Sequence, residues 1–179
     1  MKTLRLDGNN PNDIALAGDI LRRGGVDVTV AALKGNGATG AHNIYVQADA
    51  TLENVKENPF DMLILPGGGG GTENLKASET VLELVRKYDK EGKFIAAICA
   101  APTVLAKAGI VDHHLITSSP GTEGAFKPEQ HKPVPVIVSA NITTGRAPGT
   151  AIDFALELLH TLEGEERMEK IKSDLVYQV

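Results

Sequence analysis

Residues 62–72 have the sequence MLILPGGGGGT, and residues 94–103 have the sequence FIAAICAAPT. Each begins as a short, continuous apolar run, which is typical of a strand buried on both faces of a parallel sheet. Each run then stops at residues suited to tight turns or to the start of a helix. Two buried strands that end in this way predict an α/β fold whose functional groups collect at the carboxyl ends of the strands.

Segments with helical spacing lie between and around the apolar runs. Apolar residues share one face in residues 14–21, 81–88 and 152–159, and glycines follow each segment. Further strands are predicted at residues 26–32 and, toward a sheet edge because of Pro135, at residues 134–138. Strands and helices in alternation predict an α/β domain with a mainly parallel sheet.

The composition is that of a folded protein with an acidic balance of charge. The chain has 179 residues, of which 42% are hydrophobic and 23% charged, and its formal net charge is −5. The acidic excess argues against nucleic acid or an anionic membrane as a partner, and no apolar run approaches the roughly 20 residues of a spanning helix. Because the N-terminus also lacks the apolar stretch of a secretory signal, we expect a cytoplasmic protein. The length is that of one domain, which we expect to cover residues 1–179.

Cysteine and histidine usage bears on metals and cofactors. The single cysteine, Cys99, excludes an internal disulfide. His113 and His114 are adjacent, so their side chains diverge, and no set of histidines and carboxylates has the spacing of a metal site. The sequence therefore predicts no metal, and no motif in it predicts a cofactor.

The five glycines at residues 67–71 have two interpretations. Their backbone can adopt φ > 0 and bring amide groups close to a ligand, which forms a nest for an anion. The run lacks both the Gly-Lys-Ser/Thr ending of a phosphate-binding loop and the spacing of a dinucleotide fingerprint. The alternative is a flexible turn with no ligand.

Cys99 follows the second apolar run and shortly precedes Pro102, a residue suited to the first turn of a helix. A cysteine at such a strand-to-helix corner is mechanically similar to the nucleophile elbow of hydrolases. The positive end of a helix favours the thiolate, so we expect the pKa of this thiol to lie below that of a free cysteine. The alternative is that Cys99 is a small buried apolar residue.

Together these motifs resemble the DJ-one (DJ-1)/ThiJ/PfpI superfamily, and most closely its DJ-1 branch, the parkinsonism-associated deglycase and its relatives. The resemblance covers nearly the whole chain and is carried by LPGG at residues 65–68, AICAAP at residues 97–102, residues 19–31, and GRAPGT at residues 145–150. It implies a flavodoxin-like three-layer sandwich, with helices on both faces of the sheet, and a homodimer. Small residues on the first helix, Ala15 and Gly18, are expected to be exposed and to allow close approach of a second copy.

The resemblance also implies roles for individual residues. Cys99 corresponds to the nucleophile, and the backbone amides of Gly68 and Ala100 correspond to the donors that stabilise an oxyanion. Asp13 stands where the family places a carboxylic acid that bonds the sulfur and shuttles a proton. The remaining residues implied for the substrate pocket are Gly67, Ser119, Arg146, Ala147 and Pro148.

Three departures from the family pattern bear on these roles. The usual acid is glutamate, and Asp13 is one methylene shorter, so its carboxyl group reaches the sulfur only with a backbone shift or a water. The DJ-1 branch generally carries a histidine where Ser119 stands here. The peptidase branch has a histidine directly after the cysteine, and Ala100 in that place argues against a Cys–His peptidase.

Two functions remain open from the sequence. The first is a cofactor-free glyoxalase III or protein deglycase that acts on methylglyoxal-like 2-oxoaldehydes or glycated adducts and protects against oxidative stress. The second is a redox-sensing or chaperone-like stress protein in which Cys99 is oxidised to sulfinate with little turnover. The altered acid and the missing histidine favour the second function, whereas the small residues around Cys99 suit a three-carbon substrate.

Overall fold

The structure, a computed structural model, describes residues 1–6, 11–40 and 42–178, and the side chains of residues 5, 6 and 11–14 lie outside that description. The strands are β1 (Lys2–Leu6), β2 (Asp27–Ala32), β3 (Gly37–Thr39), β4 (Tyr45–Gln47), β5 (Ala50–Thr51), β6 (Met62–Leu65), β7 (Phe94–Ile98), β8 (Val136–Ser139) and β9 (Ile142–Gly145). Within these residues a seven-stranded sheet has the order β5-β2-β1-β6-β7-β9-β8, and β3 and β4 form a separate hairpin. The sheet is parallel except for β8, which pairs antiparallel with β9 at one edge.

Helices cover both faces of this sheet. They are α1 (Pro11–Arg23), α2 (Leu52–Val55), α3 (Gly69–Ala77), α4 (Glu79–Lys90), α5 (Pro102–Ala108), α6 (Ala151–Glu163) and α7 (Glu165–Asp174), with short 3₁₀ turns at Glu123–Ala125 and Pro148–Thr150. Helix α1 packs against α6 on one face, and α3, α4 and α5 pack together on the other. The fold class predicted from the sequence is therefore confirmed.

The two apolar cores follow from the alternation of side chains along the central strands. Leu63 and Leu65 of β6 point into the core beneath α4 and α5, whereas Met62 and Ile64 point into the core beneath α1 and α6. All four side chains are almost fully buried. A strand that is covered on both faces needs a continuous apolar run, which is the pattern of residues 62–65.

Local signals account for several element boundaries. Helix α4 begins after Ser78, whose hydroxyl accepts a hydrogen bond from the amide of Val81 at 3.4 Å. The strand predicted at residues 134–138 is β8, at Val136–Ser139, and it lies at a sheet edge as Pro135 indicated.

Two expectations are corrected by the structure. The glycine run is not a loop throughout, because α3 begins at Gly69 and, of these glycines, only Gly68 has a positive φ, of 97°. On α1, Ala15 is exposed but Gly18 is buried within its own chain, so these two residues do not form a common exposed face. None of the helices in the described residues is long and apolar enough to cross a membrane.

Candidate active site

Three neighbouring parallel strands end at the same edge of the sheet. Leu65 at the end of β6 lies opposite Ala97 of β7, and Ile98 at the end of β7 lies opposite Gly145 of β9. The residues that follow these strands are therefore brought together although they are far apart in sequence. This edge holds Gly68, Cys99 and the segment that begins at Arg146, three of the positions predicted for the site.

Cys99 occupies a left-handed corner between β7 and α5. Its φ is 65°, a conformation that costs a residue other than glycine about 1–2 kcal/mol. Two backbone hydrogen bonds hold the corner: the Cys99 amide donates to the Gly145 carbonyl at 2.9 Å, and the Ser119 amide donates to the Cys99 carbonyl at 2.8 Å. The cysteine is partly buried. This geometry presents the residue outside the regular strand and next to the start of a helix.

The amides of Gly68 and Ala100 follow the ends of the neighbouring strands β6 and β7. Among the described residues, no backbone carbonyl accepts a hydrogen bond from either amide. Gly68 is the residue before α3, and Ala100 lies two residues before Pro102, where α5 begins. The first amides of a helix have no acceptor within it, and the helix dipole makes this end positive. The two helix starts therefore create an electropositive surrounding that suits a negative sulfur or oxygen.

The segment of residues 117–122 closes one side of the site. Thr117 is fully buried, its amide donates to Thr144 Oγ1 at 3.0 Å, and its hydroxyl donates to the Val134 carbonyl at 2.7 Å. These bonds tie the segment to β9 and place Ser119 against the Cys99 carbonyl. Ser119 is partly buried and adjoins the cysteine, and its role in the substrate pocket stays a prediction.

Arg146 brings a positive charge to this edge of the sheet. Its amide donates to the Pro135 carbonyl at 2.9 Å, and its Nη1 atom is buried without a hydrogen-bond partner in the described part of the chain. The pKa of Glu123 is held below its usual value, chiefly because its carboxylate accepts hydrogen bonds from the backbone amides of Glu123 itself and of Gly121. His131 and Arg146 make smaller electrostatic contributions in the same direction. Arg146 thus contributes to the electrostatic surroundings of Glu123.

Ala147 and Pro148 continue the same segment. Ala147 is extended, its amide donates to Thr150 Oγ1 at 3.2 Å, and that hydroxyl donates back to the Ala147 carbonyl at 3.0 Å. Pro148 begins a 3₁₀ turn and is exposed, whereas Ala147 is partly buried. These two residues follow Arg146 directly and complete the predicted late loop.

Asp13 lies in the first turn of α1, the helix that follows β1. Because β1 is the parallel neighbour of β6, that helix starts at the same edge of the sheet as Gly68. The side chain of Asp13 lies outside the described residues. Its role as the carboxylic acid beside the sulfur therefore stays a prediction.

A cleft of about 660 Å³ adjoins the cysteine corner. Gly69 and Ala100 line it, with Thr103 of α5 and with Gly121, Thr122, Gly124 and Ala125. A second cleft, of about 620 Å³, lies elsewhere, between the β3 hairpin and the start of α4. The first cleft is lined by residues adjacent to Gly68 and Cys99, whereas the second is not.

The sequence did not identify His131 as part of this region. Its ring lies 3.0 Å from the buried Ser118 hydroxyl and stacks on Phe126 with 5.8 Å between ring centroids. His113 is exposed, and His114 is bonded to the Ser139 carbonyl at 3.0 Å. Within the described residues no group of three or more histidine, cysteine or acidic side chains could hold a metal ion.

Fold and site together define an α/β protein with a single cysteine at a strained strand-to-helix corner. The model of the DJ-1/PfpI family matches residues 5–161, and the chain belongs to this family. Protein dj-1beta of Drosophila melanogaster is 37% identical over 176 residues, which cover 94% of this chain and 92% of that protein. A Caenorhabditis elegans relative named glutathione-independent glyoxalase DJR-1.2 is 35% identical, with 91% of this chain and 88% of that protein covered.

A solved structure supports the same assignment. The structure of oxidized DJ-1 from Toxoplasma gondii matches with a TM-score of 0.95 and 29% sequence identity, and the match covers 99% of each chain. The family resemblance inferred from residues 65–68 and 97–102 is therefore confirmed.

Proposed function

We propose that this protein is a cysteine-dependent, glutathione-independent glyoxalase of the deglycase type, which converts methylglyoxal-like 2-oxoaldehydes to 2-hydroxy acids. The observation that carries the proposal is the left-handed corner at Cys99, held by Gly145 and Ser119 beside amides that lack backbone acceptors. A relative named as a glutathione-independent glyoxalase supports the same chemistry. Glycated adducts that derive from these aldehydes form the second substrate class.

The reaction begins with the thiolate of Cys99, which adds to the aldehyde carbon of methylglyoxal and forms a carbon–sulfur bond. The carbonyl electron pair moves to oxygen, and the amides of Gly68 and Ala100 are suited to stabilise that negative charge. Protonation of the oxygen gives a hemithioacetal. The electropositive helix starts favour both the thiolate and the oxyanion.

Proton transfer then converts the hemithioacetal to a thioester. A base removes the proton from C1, the electron pair passes through an enediol, and a proton returns at C2, with no net oxidation of the molecule. Asp13 is proposed as the group that moves this proton. Water then cleaves the thioester, releases lactate and restores the thiol of Cys99.

The residues around the cysteine suit a small substrate, and the family resemblance suggests the assembly. Ala100 and the glycines at residues 67–69 suit a three-carbon substrate, and we propose that the positive charge of Arg146 binds its oxygen atoms. We propose a homodimer in the cytoplasm, on the basis of the family resemblance, with no nucleic-acid or membrane partner.

A second candidate function is redox sensing. The same amides that suit an oxyanion also suit the sulfinate that forms when a thiolate is oxidised. A structural relative from Toxoplasma gondii is described as oxidized DJ-1. Ser119 in place of the histidine of the DJ-1 branch favours this alternative, because the pocket then lacks one group able to move protons.

Incubation of the purified protein with methylglyoxal, without glutathione, separates the two functions. The glyoxalase proposal predicts repeated turnover that the Cys99→Ser variant loses. A redox sensor would consume no more than about one aldehyde per protein, while dilute peroxide would convert Cys99 to sulfinate, a mass change visible in the intact protein.

A further inference from the structure

A chain of hydrogen bonds lies behind the Ser119 amide that holds Cys99. Ser118 Oγ is 2.7 Å from Thr122 Oγ1 and 3.0 Å from His131 Nε2. Thr122 Oγ1 is in turn 2.7 Å from the carbonyl oxygen of Ser119. Ser118 is fully buried, whereas Thr122 and His131 are partly buried, so the central hydroxyl of this chain is shielded from water.

Counting protons fixes the direction of these bonds. A carbonyl oxygen can only accept, so Thr122 donates its single hydroxyl proton to Ser119. Thr122 Oγ1 therefore accepts from Ser118, which uses the one proton of its own hydroxyl. Ser118 has no proton left for the ring of His131, and Nε2 is the donor in that bond. The chain runs from His131 through Ser118 and Thr122 to the Ser119 carbonyl, and it is the same whether the ring is neutral or protonated.

The position of His131 does not depend on its own ring. Residue 131 forms a parallel bridge with Ile116. The Ile116 amide donates to the Gln130 carbonyl at 2.9 Å, and the Lys132 amide donates to the Ile116 carbonyl at 2.9 Å. These backbone bonds set residue 131 beside Ser118. A substitution of the imidazole therefore removes the donor while the backbone around it remains paired.

We propose that His131 is a positioning residue for Cys99. Its Nε2 proton fixes Ser118 and, through Thr122, the turn whose Ser119 amide bonds the carbonyl of the strained cysteine at 2.8 Å. Loss of the proton donor leaves the buried Ser118 hydroxyl with one of its two hydrogen bonds and loosens that turn. The inference rests on the proposed function in one respect, that Cys99 is the reactive thiol.

The protonated nitrogen of His131 can be observed directly in the wild-type protein. The long-range ¹H–¹⁵N correlation pattern of the neutral ring distinguishes the two tautomers. We expect a protonated Nε2 and an unprotonated Nδ1. The opposite tautomer would overturn the proposal, because Ser118 would then need two protons on one hydroxyl.

Two substitutions test the consequence for Cys99. His131→Leu removes the donor, whereas His131→Gln keeps an N–H group near the position of Nε2. We expect iodoacetamide to alkylate Cys99 about fivefold more slowly in His131→Leu, the factor equivalent to roughly 1 kcal/mol, the usual net value of one hydrogen bond. The Ser119 amide should exchange its hydrogen faster by a similar factor, and His131→Gln should restore both rates to within about twofold of wild type.

His114→Leu is the matched control, because His114 is also partly buried and bonded, but to Ser139 rather than to the turn beside Cys99. It should leave both rates unchanged. Unchanged rates in His131→Leu, or equally altered rates in His131→Gln, would overturn the proposal. Amide exchange and the tautomer do not depend on turnover, so a wild-type protein that consumes no methylglyoxal would contradict the proposed function alone.

Discussion

At Cys99 the backbone adopts a conformation that most residue types avoid. The left-handed φ of 65° is maintained by hydrogen bonds to two different segments, one from β9 and one from the turn at Ser119. Strain of this kind persists where the surroundings determine the conformation more than once, and it is concentrated at functional positions. The corner was predictable because an apolar strand, a cysteine and a helix-starting proline follow one another within residues 94–102.

The proposed role of Asp13 in proton transfer is tested by substitution. We expect Asp13→Asn to lower turnover of methylglyoxal, because the amide cannot move a proton, and Asp13→Glu to raise it, because the longer side chain reaches farther. Assistance by a general acid or base is worth about 10²–10⁴-fold, so the variants are easily distinguished by steady-state kinetics. Three indistinguishable rates would show that Asp13 is not the catalytic acid and does not correspond to the carboxylic acid of the family.

Tyr88 gives the protein a specific sensitivity to alkaline pH. Burial, together with the nearby Glu91 and Asp61, raises the pKa of Tyr88 to about 12. The folded state therefore keeps this proton after the unfolded chain has begun to lose it near pH 10. The contribution of Tyr88 to the free energy of unfolding is fully present below that pH and is lost as the pH rises toward 12.

Denaturation across this range should show the effect. We expect the wild type to lose about 2 kcal/mol more of its free energy of unfolding between pH 9.5 and 12 than Tyr88→Phe does. Tyr45→Phe, at a tyrosine that is 57% exposed, is the control and should follow the wild type. Parallel pH curves for wild type and Tyr88→Phe would contradict the assignment.

At the scale of elements, the sequence predicts what local pattern alone determines. The runs at residues 62–65 and 94–98 predicted the two central strands, because only a strand covered on both faces needs uninterrupted apolar residues. The start of α4 is likewise a local matter, because the hydroxyl of Ser78 accepts a hydrogen bond from a helical amide that has no partner within the helix. These signals act within a few residues and need no partner from elsewhere in the chain.

Other elements depend on contacts between distant residues. The hairpin of β3 and β4 has three-residue strands, too short for an alternating pattern. The start of α3 inside the glycine run has no local signal, because glycine is a poor helix former. His131 meets Ser118 only after the chain pairs Ile116 with residue 131, so no spacing in the sequence could have assigned it to the site.

Close packing of β9 against its neighbours can be tested at Gly145. A Cβ atom there would lie 2.9 Å from Phe154 and 3.0 Å from Ile98, both nearly fully buried. We expect Gly145→Ala to lower the free energy of unfolding by about 1–3 kcal/mol, the usual cost of overpacking. Gly149→Ala is the control, since nothing lies within 4 Å of the added carbon, and equal stabilities of the two variants would contradict this packing.

At the scale of the whole molecule, we expect a homodimer. The expectation rests on the family, since the small face proposed on α1 is reduced to Ala15 by the burial of Gly18. Light scattering at micromolar concentration should give twice the mass of the 18.9 kDa chain. A monomer at that concentration would contradict the expected assembly but would leave the chemistry of Cys99 untouched.

The central claim is that Cys99 converts a 2-oxoaldehyde to a 2-hydroxy acid without glutathione. Proton NMR of methylglyoxal incubated with wild type and with Cys99→Ser measures this most directly, because it follows substrate and product together. We expect wild type to form one lactate for each methylglyoxal consumed, over many turnovers, and Cys99→Ser to form lactate no faster than buffer alone. Lactate formed equally by both proteins, or none formed by wild type, would contradict the claim.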